Sequence, residues 1–180
     1  MRRFIVPIVV ILCVITACNN QGNTGSENEV SALDSLEALV FATQEAKTDS
    51  KTAMNLVREY TKYYQAHQPD SLAVDRLFKA GEVSMGIGQG NLAIKYFRTI
   101  SDDHSEFYKV AEVRFLLGFC SENLVNDTAQ ARFFYNKFIE AHPEHHLAKD
   151  AEYSIQNLGL SDEDLIKMFK EKLAKQEADK

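Results

Sequence analysis

The chain has no tryptophan, only three prolines and three cysteines, and no apolar run long enough to cross a membrane as a helix. The run at 4–15 has 12 residues, whereas a spanning helix needs about 20. Acidic residues outnumber basic residues by 26 to 20, so the chain lacks the positive charge that binds nucleic-acid phosphates. These absences exclude a disulfide scaffold and disfavour nucleic-acid binding. The 180 residues, 45% of them hydrophobic, suit one folded domain.

The N-terminus has the pattern of an export signal. Arg2 and Arg3 precede the apolar run at 4–15, and small residues then lead to Cys18. The sequence Ile-Thr-Ala-Cys at 15–18 resembles the lipobox of bacterial lipoproteins. The resemblance implies that 1–17 is a signal peptide and that the Cys18 thiol carries diacylglycerol. Ordinary signal cleavage and a retained anchor are the alternatives.

The cysteines agree with export and lipidation. Cys13 would leave with the signal peptide and Cys18 would carry the lipid, which leaves Cys120 alone. The exported chain then contains no intramolecular disulfide. Two or three acyl chains would hold it stably at a membrane without a transmembrane helix.

The segment after Cys18 is predicted to be a tether. Residues 19–29 include two glycines and no apolar side chain, so ordering this segment would bury nothing. We therefore expect 18–30 to be flexible. No aspartate follows Cys18, so the inner-membrane retention signal of enteric lipoproteins is missing. We expect a lipid-anchored protein of the bacterial cell envelope, at the outer membrane and facing the periplasm.

The rest of the chain contains an internal repeat. Seven of the sixteen residues at 60–75 recur at 135–150, namely Tyr60/Tyr135, Lys62/Lys137, Ala66/Ala141, His67/His142, Leu72/Leu147, Ala73/Ala148 and Asp75/Asp150. Identical or similar residues also recur at half of that spacing, namely Phe78/Phe115, Gly81/Gly118, Ser84/Ser121, Ala93/Ala131, Phe97/Tyr135 and His104/His142. The period is therefore 37 to 38 residues, which is typical of stacked helical repeats.

Within each period the apolar spacing is helical. Ala93, Tyr96, Phe97 and Ile100 share one helical face, and Asp127 and Ser161 carry helix-start signals. We predict an all-α chain with helices at 31–46, 51–66, 71–85, 91–101, 106–123, 128–141, 147–158 and 162–175.

The repeats resemble the tetratricopeptide repeat. The matching residues are Leu77, Gly81, Ala93 and Phe97, then Leu117, Gly118, Ala131, Tyr135, Phe138 and Pro143. The resemblance implies an α-solenoid of antiparallel helix pairs, with N-terminal helices and a degenerate repeat at 31–70, repeats at 71–160, and a capping helix and tail at 161–180. The chain departs from the pattern because it has no tryptophan. It also has Ala80 and Ser84 in place of the usual Leu and Tyr, and Arg114 at the first large position.

Candidate chemical groups are sparse. His142, His145 and His146 are a weak metal signal at a turn and are interpreted as exposed turn histidines. Cys120 is interpreted as a buried core thiol. Gly86, Gly88 and Gly90 follow a helix, not a strand, which indicates a turn and not a phosphate site. We therefore predict no enzymatic activity, no cofactor and no metal site.

The first helix of each tetratricopeptide repeat lines a concave groove, and the resemblance implies which residues would face it. They are Asp75, Phe78, Glu82 and Met85 in one repeat and Glu112, Phe115, Phe119 and Glu122 in the next. Carboxylates at these positions favour a basic or apolar peptide as the partner and repel a C-terminal carboxylate. The alternative for the phenylalanines is that they belong to the core between repeats.

Together with the lipobox, the repeats resemble periplasmic lipoproteins and adaptors of envelope assembly, such as those of the β-barrel assembly machinery and the Tol-Pal system. We expect a scaffold or adaptor that binds a protein or peptide of the cell envelope and contacts the membrane only through its lipid. The alternative is a binding component that presents a peptide or cell-wall fragment to an envelope enzyme. Leu165, Phe169 and Leu173 are predicted to seal the end of the solenoid; a partner-docking helix is the alternative.

Overall fold

The computed structural model describes residues 24–41 and 49–178, and this part of the chain is all-helical, without a strand. This confirms the predicted all-α class. Its helices are α1 (Thr24–Phe41), α2 (Ser50–His67), α3 (Ser71–Gly86), α4 (Gly90–Asp103), α5 (Val110–Asn123), α6 (Thr128–Ala141), α7 (Ala148–Asn157) and α8 (Asp162–Ala178). From α1 to α7, each helix packs against the next along the chain.

Two helix starts differ from the prediction by more than one residue. The first helix begins at Thr24, inside the segment expected to be a flexible tether. Residues 1–23, including Cys18, and 42–46 lie outside the described residues. Helix α5 begins at Val110 and not at 106, because two successive turns precede it and bury Phe107.

The predicted start signals act as caps. The Asp127 side chain accepts a hydrogen bond from the backbone N–H of Gln130, at 2.9 Å. Before α8, the backbone N–H of Asp164 donates to Ser161 Oγ, and Ser161 donates back to the Asp164 carboxylate at 2.7 Å. Each cap satisfies backbone donors that have no partner within the helix.

Residues one period apart occupy equivalent environments. A Cβ on Gly81 would come within 2.4 Å of the Phe97 ring, and a Cβ on Gly118 would come within 2.5 Å of the Tyr135 ring. Ala93 and Ala131, which lie near the start of the partner helices, are completely buried. In both pairs, an aromatic ring therefore lies where the other helix has only a glycine.

The polar residues of the repeat are also equivalent. Ser84 and Ser121 are completely buried, and each hydroxyl donates to the carbonyl oxygen four residues earlier at 2.7 Å. His104 and His142 both end a helix, with φ of −133° and −139° and ψ of 56° and 57°. The repeat found in the sequence is thus a repeat of packing and of backbone geometry.

The first helix shares the core of the repeats. One buried cluster extends from Leu33 in α1 to Phe134 in α6. A second cluster lies between α5, α6 and α7 and is built on Ala131, Tyr135, Phe138, Ala148 and Ala151. Because Leu33 and Val40 are only 5% and 4% exposed, α1 packs on the helices that follow it.

Helix α8 does not bury its apolar stripe as predicted. Ile166 and Phe169 are 54% and 47% exposed, and Leu165 is half-buried. The side chain of Leu173 lies outside the described residues. Gly159, with a φ of +85°, turns the chain after α7, and α8 adds no side chain to either buried cluster among the described residues. The sealing of the stack that the tail was expected to provide is therefore not seen in these side chains.

Candidate partner-binding face

The six residues expected to bind a partner are divided between two helices. Asp75, Glu82 and Met85 lie on α3, and Glu112, Phe119 and Glu122 lie on α5. Glu82 and Phe119 are exposed, and the other four are half-buried.

Three of the hydrophobic groove positions belong to the core or its border. Phe78 is completely buried, and its ring centroid lies 5.9 Å from that of Phe97 and 5.8 Å from that of Phe107. Phe78 therefore belongs to the core, which was the alternative for the phenylalanines, and the turn before α5 covers it. Met85 packs at the border of the same core, and Phe115 packs against the rings of Tyr135 and Phe138.

Two carboxylates, one on α3 and one on α5, act on Glu82. Partial burial raises the pKa of Glu82, and the negative charges of Glu112 and Asp75 raise it further against the opposing effect of Lys109 and Lys79. Such an influence requires Asp75 and Glu112 to lie near Glu82. We call Asp75, Glu82 and Glu112, with the neighbouring Tyr108 and Lys109, the acidic face.

Tyr108 and Lys109 were not identified from the sequence. The Tyr108 ring is 74% exposed, and its hydroxyl donates to Asp75 Oδ1 at 2.9 Å. Lys109 Nζ lies 4.4 Å from the centroid of the Phe78 ring and 5.5 Å from that of Tyr108. The only signal in the sequence was a tyrosine next to a lysine, and both residues fell inside the helix predicted at 106–123.

Glu122 has a different environment from the acidic face. Tyr135, on α6, donates its hydroxyl to Glu122 Oε2 at 2.8 Å. Burial, and after it the bond to Glu122, raise the pKa of Tyr135, so this hydroxyl remains a donor. Glu122 therefore helps to join α5 to α6, while Phe119 remains 36% exposed.

The other candidate groups have structural contacts. Cys120 is completely buried, and burial raises the pKa of its thiol to about 12, which suppresses the reactive thiolate. His145 stacks against His146 with centroids 4.3 Å apart and contacts Phe138. Among the described residues, no group of three or more histidine, cysteine or acidic side chains is arranged to hold a metal ion.

Comparisons with protein-family models, with curated proteins and with solved structures find no match to this chain. Within the described residues, none of the helices combines the length and apolar character needed to span a membrane.

Proposed function

We propose that this chain is a lipid-anchored periplasmic scaffold of the tetratricopeptide type, which mediates protein–protein interactions in envelope assembly or maintenance. The repeated packing of Gly81 on Phe97 and of Gly118 on Tyr135 supports the repeat assignment. The lipobox supports the anchor and the compartment.

The acidic face is the observation on which the binding role depends. Glu82 is partly desolvated next to two other carboxylates, so a positive partner side chain would relieve repulsion as well as gain attraction. Tyr108 provides an exposed aromatic ring beside these charges, and aromatic residues are enriched at protein interfaces. A basic peptide segment that also carries apolar side chains fits this combination.

Replacing Glu82 and Glu112 together by Gln should weaken binding of a basic peptide to the acidic face. A fluorescein-labelled octapeptide of alternating Lys and Leu is the probe, and its fluorescence anisotropy reports the affinity. Binding by the unmodified protein should weaken between about 0.05 and 0.3 M salt, because screening strengthens over this range. The salt dependence should be smaller in the double variant.

The matched control replaces Glu152 and Glu163, which are exposed on α7 and α8, by Gln. It removes the same charge at a distance from the acidic face and should keep the affinity within about twofold, a difference of roughly 0.4 kcal/mol. Equal losses in both double variants would mean that overall charge, and not the acidic face, attracts the peptide.

Replacement of Cys18 by Ser should leave an uncleaved precursor and abolish labelling by a palmitate analogue in a bacterial host. The reason is that the lipobox pattern assigns the lipid to the thiol of Cys18. Cys120→Ala is the control and should keep its labelling, because Cys120 is completely buried. Labelling that persists in Cys18→Ser would contradict lipidation at this position.

A further inference from the structure

A second charged cleft lies between α4 and α6, with α5 beneath it. Its volume is about 720 Å³. Leu117 and Phe134 are 2% and 9% exposed and form an apolar floor, and Phe133 is 54% exposed. Cationic side chains come from three helices, namely Arg98 from α4, Arg114 from α5 and Lys137 from α6.

The three cations have side-chain contacts but no direct ion pair. The Arg98 guanidinium lies 5.4 Å from the centroid of the Phe134 ring, and Lys137 Nζ lies 5.4 Å from that of Phe133. Both are cation–π distances. Within the described part of the chain, none of the three forms an ion pair with a carboxylate.

Arg114 has an uncharged partner. Its Nη1 donates to His142 Nε2 at 2.9 Å, which requires this ring nitrogen to be unprotonated. Burial lowers the pKa of His142, and the charges of Arg114 and His145 lower it further, so the imidazole is neutral near pH 7. The hydrogen bond orients the guanidinium but leaves its positive charge available to a ligand.

The cleft contains three positive and two negative side chains, because Asp102 and Glu140 also line it. This small positive excess suits one carboxylate better than a doubly charged phosphate or a polyanion. The apolar floor and the exposed Phe133 ring add a place for a hydrophobic side chain next to that carboxylate.

We propose that this cleft binds a peptide segment of a second protein, with a carboxylate at Arg98, Arg114 and Lys137 and an adjacent apolar side chain against Phe133. The site is separate from the acidic face. Glu112 and Arg114 are two residues apart on α5, and such residues point in different directions from a helix. The protein thereby offers two partner sites of opposite charge preference.

The probe is a fluorescein-labelled octapeptide, Gly-Ser-Gly-Ser-Ala-Asp-Glu-Phe, with a free C-terminus. Its anisotropy is measured with the full-length chain in non-ionic detergent micelles. We expect saturable binding below about 1 mM and no binding of a peptide that has Lys in place of Asp and Glu and an amidated C-terminus. Absence of saturable binding, or equal binding of the Lys peptide, would overturn the proposal.

Replacing Arg98, Arg114 and Lys137 together by Gln should weaken binding about tenfold or more, as expected when a cluster of charged contacts is removed. The matched control replaces Lys149, Lys167 and Lys170, all exposed, by Gln and should keep the affinity within about twofold. Equal loss in both triple variants would refute the cleft as the binding site. If Arg114→Gln disturbs the fold, as judged by circular dichroism, Arg98→Gln with Lys137→Gln tests the cleft while keeping the Arg114–His142 bond.

Two further peptides identify the source of the carboxylate. Loss of binding on amidation of the C-terminus indicates a chain terminus, and loss on replacing Asp and Glu by Asn and Gln indicates side chains. Binding that survives both changes made in one peptide would overturn recognition of a carboxylate.

The double variant Glu82→Gln with Glu112→Gln should leave binding of the acidic peptide unchanged. Failure of the acidic face and failure of the cleft are therefore distinguishable.

Discussion

Replacing Phe97 by Ala should lower the free energy of unfolding by about 3 to 5 kcal/mol. The Phe97 ring is completely buried, and it occupies the space left by the missing side chain of Gly81. It also packs 5.9 Å from the Phe78 ring. Because Gly81 has no side chain that could move into the cavity, we expect little collapse and a cost in the upper part of the range. Urea unfolding followed by circular dichroism measures the change.

Phe133→Ala is the matched control for this substitution. Phe133 is the same residue type in the second helix of the next pair, but it is 54% exposed. Its replacement should change the free energy of unfolding by no more than about 0.5 kcal/mol, as is usual for surface positions. A comparable loss in both variants would contradict the role of the glycine–aromatic contacts in holding the helix pairs together.

These contacts explain why the fold could be predicted from the sequence. The period of 37 to 38 residues carried both the glycine and the aromatic ring that fills its place, so local spacing and tertiary packing agreed. The start of α5 could not be predicted in this way. Phe107 continues the apolar pattern of α5 toward its N-terminus, but it is buried as part of a turn over Phe78, and helical periodicity does not distinguish these two ways of burying a ring.

The candidate site was predicted less well, because helical periodicity does not show which side chains are covered by a segment from elsewhere in the chain. Phe78 and Glu82 are four residues apart and share a helical face, yet Phe78 is buried and Glu82 is exposed. The difference arises from Phe107 and Lys109, which come from a distant connection and cover Phe78. Likewise, Arg114 was visible as a departure from the repeat pattern, but its neighbours Arg98 and Lys137 are brought to it only by the stacking of the helices.

The attachment of α1 provides the second large expected effect, because it depends on an ion cluster around the buried side chain of Arg76. The Arg76 side chain is 6% exposed; it donates to Asp34 Oδ1 at 2.8 Å and to Glu37 Oε2 at 3.0 Å. Lys79 Nζ donates to the other oxygen of Glu37 at 2.7 Å. Two residues of α3 therefore hold two carboxylates of α1, alongside the apolar contacts of Leu33 and Val40.

Arg76→Ala should lower the free energy of unfolding by about 2 to 3 kcal/mol at pH 7. Breaking a buried ion pair usually costs about 3 to 5 kcal/mol, but Glu37 keeps Lys79 and Asp34 is 57% exposed, so we expect a smaller loss. Lys62→Ala is the control, since its pair with Glu59 is exposed and such pairs contribute about 0 to 1 kcal/mol. A loss no larger than that of the control would contradict the role assigned to Arg76.

The loss caused by Arg76→Ala should also shrink when it is measured near pH 3. Burial raises the pKa of Glu37, but the hydrogen bond from Lys79 and the charges of Lys79 and Arg76 outweigh burial and lower this pKa overall. A depressed folded-state pKa means that the stabilisation is present above the ordinary value of about 4.3 and is lost as the pH falls through the folded value. Once Glu37 is protonated, Arg76 is a buried cation with a weaker partner, and its removal costs less. A loss of the same size at pH 7 and pH 3 would show that Arg76 stabilises the protein by packing on Tyr60, which its guanidinium approaches to 5.8 Å, and not by its charge.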